Sequence, residues 1–234
     1  VAYEQPAQGY RVAVEAPLLA RFSIEGRRRR IEHVLDLGAG PGALGLMLLA
    51  TGWAHRVTAV ERDAVHAELC RRNAERNGFG ASLSVVHESL GAPARGRSHD
   101  LVISNPPWFE AAEGPVAEHG RRAHARTWLD ADVQRLCTAA RAAMKPGGRF
   151  VVSWPSQALP KLLRTAAAEG LHGKRLRLVH PRPSREAQVA FVELVVGARG
   201  GLVVAPPCVL RIDGEAYAPE VRDALEGCWP SPAS

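Results

Sequence analysis

Between residues 31 and 154 short apolar runs alternate with amphipathic stretches, and this rhythm constrains the chain more than any other feature. It is the βαβ pattern of a parallel sheet covered by helices on both faces, an α/β fold. Five strands are expected, at Ile31 to Leu37, Arg56 to Val60, Ser82 to His87, Asp100 to Ser104 and Arg149 to Trp154. Helices over residues 42–51, 63–77 and 130–144 lie between them, and the turn Lys145-Pro146-Gly147-Gly148 releases the last one into its strand. A helix over residues 156–170 precedes two strand-like runs, Lys174 to Val179 and Gln188 to Val196, and Gly200-Gly201 then predicts a hairpin. Residues 91–99 and 110–121 mix Gly, Pro, Ala and charge without an apolar period and read as loops.

At 234 residues and 46% hydrophobic content, the chain can bury a sizeable core, which favours one domain over residues 1–234. Within it, residues 1–30 form an N-terminal segment, 31–196 the core and 197–234 a C-terminal edge hairpin and tail. No apolar run approaches the ~20 residues that a membrane-spanning helix needs. Val1-Ala2-Tyr3-Glu4-Gln5 lacks the charged-then-apolar profile of a signal peptide, so the expectation is a cytoplasmic protein with no membrane partner. Cys70, Cys137, Cys208 and Cys228 form no CxxC pair, so neither a disulfide framework nor a metal site is expected and all four read as packing residues. A net charge of +6 is compatible with a nucleic-acid partner, although Arg27 to Arg30 read as a solvated loop. Monomer and homodimer are both compatible with this composition.

The run Val34-Leu35-Asp36-Leu37-Gly38-Ala39-Gly40-Pro41-Gly42-Ala43 ends a buried strand and opens a helix. Its glycines, with Ala39 between the first two, can turn tightly and let a nucleotide-like ligand approach the backbone. Gly38, Gly40 and Ala43 also satisfy the dinucleotide pattern GxGxxA, so the loop alone fits a nicotinamide dehydrogenase and a methyltransferase equally. Asp36, two residues before the first glycine, separates them. It resembles the acidic-x-Gly-x-Gly-x-Gly signature of class I methyltransferases, in which the carboxylate helps hold the cationic amino acid end of S-adenosylmethionine. Glu61, at the tip of the second strand with Arg62 beside it, is placed to accept hydrogen bonds from ribose hydroxyls, and Asp63 is better placed than Glu61 to cap the following helix. The acid that class I methyltransferases commonly use for the cofactor adenine is matched here by Glu88 or Ser89.

The fourth strand ends in Asn105-Pro106-Pro107-Trp108-Phe109, at the carboxyl edge where open α/β sheets bind ligands. This resembles the [N/D]PP[Y/F/W] motif of amino methyltransferases. An exocyclic amine on a base has its lone pair delocalised into the ring and is a poor nucleophile. The Asn105 side-chain oxygen and the Pro106 carbonyl can accept its two hydrogens and draw the nitrogen towards tetrahedral geometry. Pro107 with Pro106 fixes the carbonyl directions, while Trp108 stacks on the flat substrate, with Phe109 on the same wall.

The segment Gln5-Pro6-Ala7-Gln8-Gly9-Tyr10-Arg11-Val12-Ala13-Val14-Glu15-Ala16-Pro17-Leu18-Leu19 is similar to the N-terminal signature of bacterial tRNA adenine-N6 methyltransferases acting on a valine tRNA. Arg122-Ala123-His124-Ala125-Arg126, the Pro146-Gly147-Gly148 turn and His180-Pro181-Arg182-Pro183 extend the resemblance over nearly the whole chain. It implies a Rossmann-like fold with a mostly parallel seven-stranded sheet, an antiparallel C-terminal strand and a hairpin. It also implies cofactor contacts from Tyr10, Arg11 and Glu15, and RNA contacts from Arg122 and Arg126. The substrate implied is the N6 amino group of an adenine in a tRNA anticodon loop. The same NPPW chemistry also serves a guanine-N2 rRNA methyltransferase or a glutamine-N5 protein methyltransferase, and the fold alone would serve a non-catalytic RNA-binding protein. Trp108 in place of the more usual Tyr or Phe, and Gln188-Val189 in place of Arg-Val, are departures from the family pattern.

Overall fold

Near-continuous apolar runs can be buried on both faces only as inner strands of a parallel sheet, and the computed structural model places them there. It describes residues 1–5, 14–90, 98–106, 133–198 and 201–233. Strand β1 (Ile31–Leu37) pairs in parallel with β2 (Ala54–Glu61) on one side and with β4 (His99–Ser104) on the other. β3 (Leu83–His87) extends the sheet beyond β2, and β5 (Met144–Pro155) beyond β4, both in parallel. Next come β7 (Val189–Val196) and β6 (Leu171–His180), with β7 antiparallel to both neighbours. Two short strands, β8 (Val203–Val204) and β9 (Cys208–Val209), lie in parallel along β6, giving the order β3-β2-β1-β4-β5-β7-β6-β8 with β9 also on β6.

The five expected parallel strands are all present, and the antiparallel strand is β7. The sheet has nine strands rather than seven, the additions being β8 and β9, each of two residues. The hairpin expected at Gly200-Gly201 does not form on β7. Both edges of β7 are already taken by β5 and β6, so the returning chain pairs with the free edge of β6 instead. The antiparallel neighbours joined by a short loop are β6 and β7. The Lys145 to Gly148 turn falls inside β5, as an irregularity opposite His99 to Leu101, with Gly147 at φ 75°.

Helices α1 (Glu15–Ile24), α2 (Ala43–Ala50), α3 (Ala64–Arg76) and α6 (Pro219–Glu226) share one apolar core with one face of the sheet. Helices α4, described over residues 133–143, and α5 (Leu159–Ala168), which follows a 3₁₀ turn at Ser156–Ala158, cover the other face. α2 is apolar throughout because it lies between the sheet and α1. α1 and α6 are the two helices that the apolar periodicity does not announce. Three of the cysteines are buried packing residues, whereas Cys228 is exposed in the tail after α6.

Charges fasten α1 to the far half of the sheet. Arg175 on β6 reaches Glu25 at 2.9 Å and the buried Glu193 of β7 at 3.2 Å, and Arg149 of β5 meets Glu193 at 2.9 Å. Arg177 joins Glu25 to Glu220 of α6, at 3.1 and 2.6 Å. Arg27, expected to be solvated, is half-buried beside this cluster. Burial and then Arg149 lower its pKa to about 10. Removing the shared anion would leave several guanidinium groups facing one another, part of the cost being relieved by solvent at Arg149. Glu193→Ala is therefore expected to lower the free energy of unfolding by about 2 kcal/mol in urea titration.

Candidate functional site

The C-terminal ends of β1 and β4 lie side by side with α helices on both faces, the place where an open α/β sheet leaves a crevice. The loop after β1 is held to β2 by its backbone, with the Gly38 and Ala39 N–H groups both donating to the Val60 carbonyl at 2.9 and 3.0 Å. Gly42 at the N-cap of α2 has φ 91°, and a Cβ on it would lie 2.6 Å from the Cys70 sulfur of α3. Glycine is required there twice over, by conformation and by the closeness of α3.

Asp36, one residue from the end of β1, is completely buried, and neither of its oxygens has a hydrogen-bond partner among the described residues. Burial pushes its carboxyl up to about 7, and the neighbouring Glu61 adds to the rise. The Gly45 N–H pulls the other way without closing a well-formed hydrogen bond. A buried carboxylate left like this is costly to the fold and suited to a cationic group.

Glu61 ends β2 and is buried. One oxygen accepts the Gly40 N–H and the other the Asp63 N–H, each at 2.8 Å, so it braces the glycine loop and the entrance to α3. Asp63 caps α3 by accepting the His66 N–H at 2.9 Å, as its position predicts. The Arg62 side chain is exposed at the same tip, its carbonyl contacted by His87 Nε2 at 3.0 Å. Glu88 and Ser89 are exposed just after β3, and the Glu88 N–H donates to the Glu61 carbonyl, which sets both beside Glu61. Glu15 opens α1, half-buried, with no hydrogen bond or ion pair among the described residues.

Asn105 and the buried Pro106 follow β4 directly. Two buried serines hold this corner. Ser104 Oγ donates to the Leu37 carbonyl at 2.6 Å, tying the end of β4 to the end of β1, and Ser153 Oγ of β5 donates to Asn105 Oδ1. Ser153 is a site residue that motif reading misses, because a single serine in an apolar strand carries no signature. Its parity with Val151, which packs on the α1 and α2 face, is the one sequence clue to its direction. Tyr10, Arg11, Pro107, Trp108, Phe109, Arg122 and Arg126 lie outside the described residues. Among the described residues, no three His, Cys, Asp or Glu side chains are grouped to hold a metal ion and no helix is long and apolar enough to cross a membrane.

Residues 18–168 match the methyltransferase small domain family, and the chain belongs to it. Among curated proteins, a tRNA1(Val) (adenine(37)-N6)-methyltransferase of Porphyromonas gingivalis is 30% identical over 189 residues, covering 78% of this chain and 73% of that one. A protein of the same name from Klebsiella pneumoniae is 34% identical, over 69% of this chain and 67% of its own. In fold, the chain is similar to a crystal structure described as a predicted O-methyltransferase of Agrobacterium tumefaciens. The TM-score is 0.72 at 26% identity, covering 94% of this chain and 98% of that one.

The state of Asp36 gives a signed expectation. Its folded pKa of about 7 lies above the ordinary 3.8, so between those values the folded chain holds more protons than the unfolded one. Stability therefore falls as pH rises through that window and levels off above it. Asp36→Asn removes the penalty, so the variant should melt above wild type at about pH 8, with the gap closing towards about pH 4. A gap that stays constant across that range would rule out a buried, uncompensated carboxylate.

Proposed function

We propose that this chain transfers the methyl group of S-adenosylmethionine to the N6 amino group of an adenine in the anticodon loop of a tRNA, in the cytoplasm. The observation that carries the reading is a juxtaposition at one sheet edge. A buried carboxylate without a partner among the described residues, Asp36, stands near the end of one strand, and an oriented amide, Asn105, follows the strand beside it. The names of the two relatives support adenine in tRNA as the acceptor.

The residues present fit the cofactor. Asp36 would meet its ammonium group, which supplies the partner that the buried carboxylate lacks among the described residues. The backbone of Gly38, Ala39, Gly40 and Gly42 would line its path. Glu61, already fixed by two N–H donors, keeps acceptor capacity for the ribose hydroxyls. Arg62 and either Glu88 or Ser89 would face the adenine end, and Tyr10, Arg11 and Glu15 would close the site from the N-terminal segment. S-adenosylmethionine bound there supplies a methyl group activated by a sulfonium.

The chain's own part is to present the acceptor nitrogen. Asn105 Oδ1 accepts one amino hydrogen and the Pro106 carbonyl the other, turning the nitrogen lone pair out of the base plane. Ser153 holds the Asn105 amide in place, so the acceptor is oriented before the substrate arrives. Trp108 would stack on the base with Phe109 on the same wall, and Arg122 and Arg126 would meet nearby phosphates. The proton leaves to solvent after transfer, because a methylated ammonium is strongly acidic, so no buried base is needed. An adenine in a single-stranded loop can splay into such a site at less cost than one in a duplex.

The deciding experiment incubates the protein and labelled cofactor with total RNA from cells lacking its gene, followed by digestion to nucleosides. Labelled N6-methyladenosine in tRNA is expected, whereas label in N2-methylguanosine, or in a glutamine found by peptide mapping after a parallel incubation with cell protein, would overturn the substrate. Asn105→Ala should reduce turnover by about 100-fold with cofactor affinity nearly unchanged, and normal turnover would remove Asn105 from this role. Binding to tRNA should weaken steeply as salt rises, because phosphate contacts release counterions, and a flat response would exclude the arginine contacts.

A further inference from the structure

Helix α3 holds the N-terminus and the glycine loop with the same side chain. Asn73 is completely buried. Its Oδ1 accepts the Glu4 N–H at 2.8 Å, while its Nδ2 donates to the Glu4 carbonyl at 2.8 Å and to the Pro41 carbonyl at 3.0 Å. One turn further along, Asn77 repeats the arrangement on Ala2, accepting its N–H at 2.8 Å and donating to its carbonyl at 2.6 Å. The two spacings match because four residues of helix rise about 6 Å and two residues of extended chain about 6.8 Å. Two asparagines thus read alternate residues of the N-terminus as a neighbouring strand would. Arg72 and Arg76 of the same helix pair with the Glu4 carboxylate, Arg72 at 2.8 Å.

Pro41 lies between Gly40 and Gly42 of the glycine loop. α3 therefore touches that loop in two adjacent places. Cys70 packs where a Cβ on Gly42 would stand, and Asn73 takes the next carbonyl back. Asn73 thus bonds both the loop and residues 1–5. Satisfying both ends of its amide fixes its orientation, so displacing either partner leaves a buried polar group unpaired.

We propose that Asn73 is a positioning residue that couples docking of the N-terminal residues to the shape of the glycine loop, and thereby sets the affinity for S-adenosylmethionine. The inference rests on the loop being the cofactor site. Docking the N-terminus secures the Asn73 amide and holds the Pro41 carbonyl back against α3. Coupling between two sites is reciprocal in binding free energy, so a loop occupied by cofactor must in turn tighten the hold on Glu4.

Calorimetry with S-adenosylmethionine on the full chain tests the first half. Asn73→Ala should weaken binding about 10-fold, the scale of lost buried hydrogen bonds, and the kinetic effect should appear in KM for the cofactor rather than in kcat. Two gentler variants leave the Asn73 amide in place. Asn77→Ala and Glu4→Pro, which deletes the N–H that Asn73 accepts, should weaken binding in the same direction by a smaller factor, and neither should add to Asn73→Ala. Hydrogen exchange tests the second half. Adding cofactor should slow exchange of the Glu4 amide in wild type and not in Asn73→Ala. Wild-type affinity in both gentler variants, or exchange at Glu4 that ignores the cofactor, would overturn the coupling. Failure of the wild-type chain to bind S-adenosylmethionine at all would instead overturn the reading of the site.

Discussion

Everything at the site depends on β1 having a hydrogen-bonded parallel neighbour on each side. With β2 and β4 both paired to it, β1 is interior, and its C-terminal end becomes the point where the sheet's connections diverge to left and right. The loop leaving β1 is clamped to Val60 on one side, and its last carbonyl before the glycines is clamped by Ser104 on the other. A carboxylate at Asp36 could not be buried unpaired on a frayed edge strand, where water would reach it. In the interior it is costly, a stability penalty placed where a cationic ligand can relieve it.

Much of this was legible in the chain itself, for a physical reason. Strands buried on both faces must be largely apolar, so β1, β4 and β5 stand out against the amphipathic helices between them. The glycine loop was legible because positive φ at Gly38, Gly40 and Gly42 admits few other residues. Asp36 and Asn105 were legible by their spacing from that loop and from the end of the fourth strand.

The misses have equally specific causes. α1 begins after Val14 with no side-chain cap and is buried on nearly every side, so no polar face marks its period. α6 did carry a signal in Pro219 at its start and Gly227 in the left-handed conformation at its end, but eight residues give a weak period. The glycine pair near residue 200 marks a reversal without saying which strand has a free edge, since that depends on the whole sheet order. Ser153, Asn73 and Asn77 act through partners distant in sequence, and no local pattern encodes such pairings.

The far edge of the sheet shows how the same chain guards itself against its own kind. β6 would present ten residues of open backbone if nothing lay beside it, a template for another molecule's strand. Instead the returning chain covers it with two fragments of two residues each, and between them stand Pro206 and Pro207, which have no N–H to offer. The outermost layer of the sheet is thus too short and too interrupted to recruit a further strand. The chain keeps this edge closed to further pairing without a covering helix.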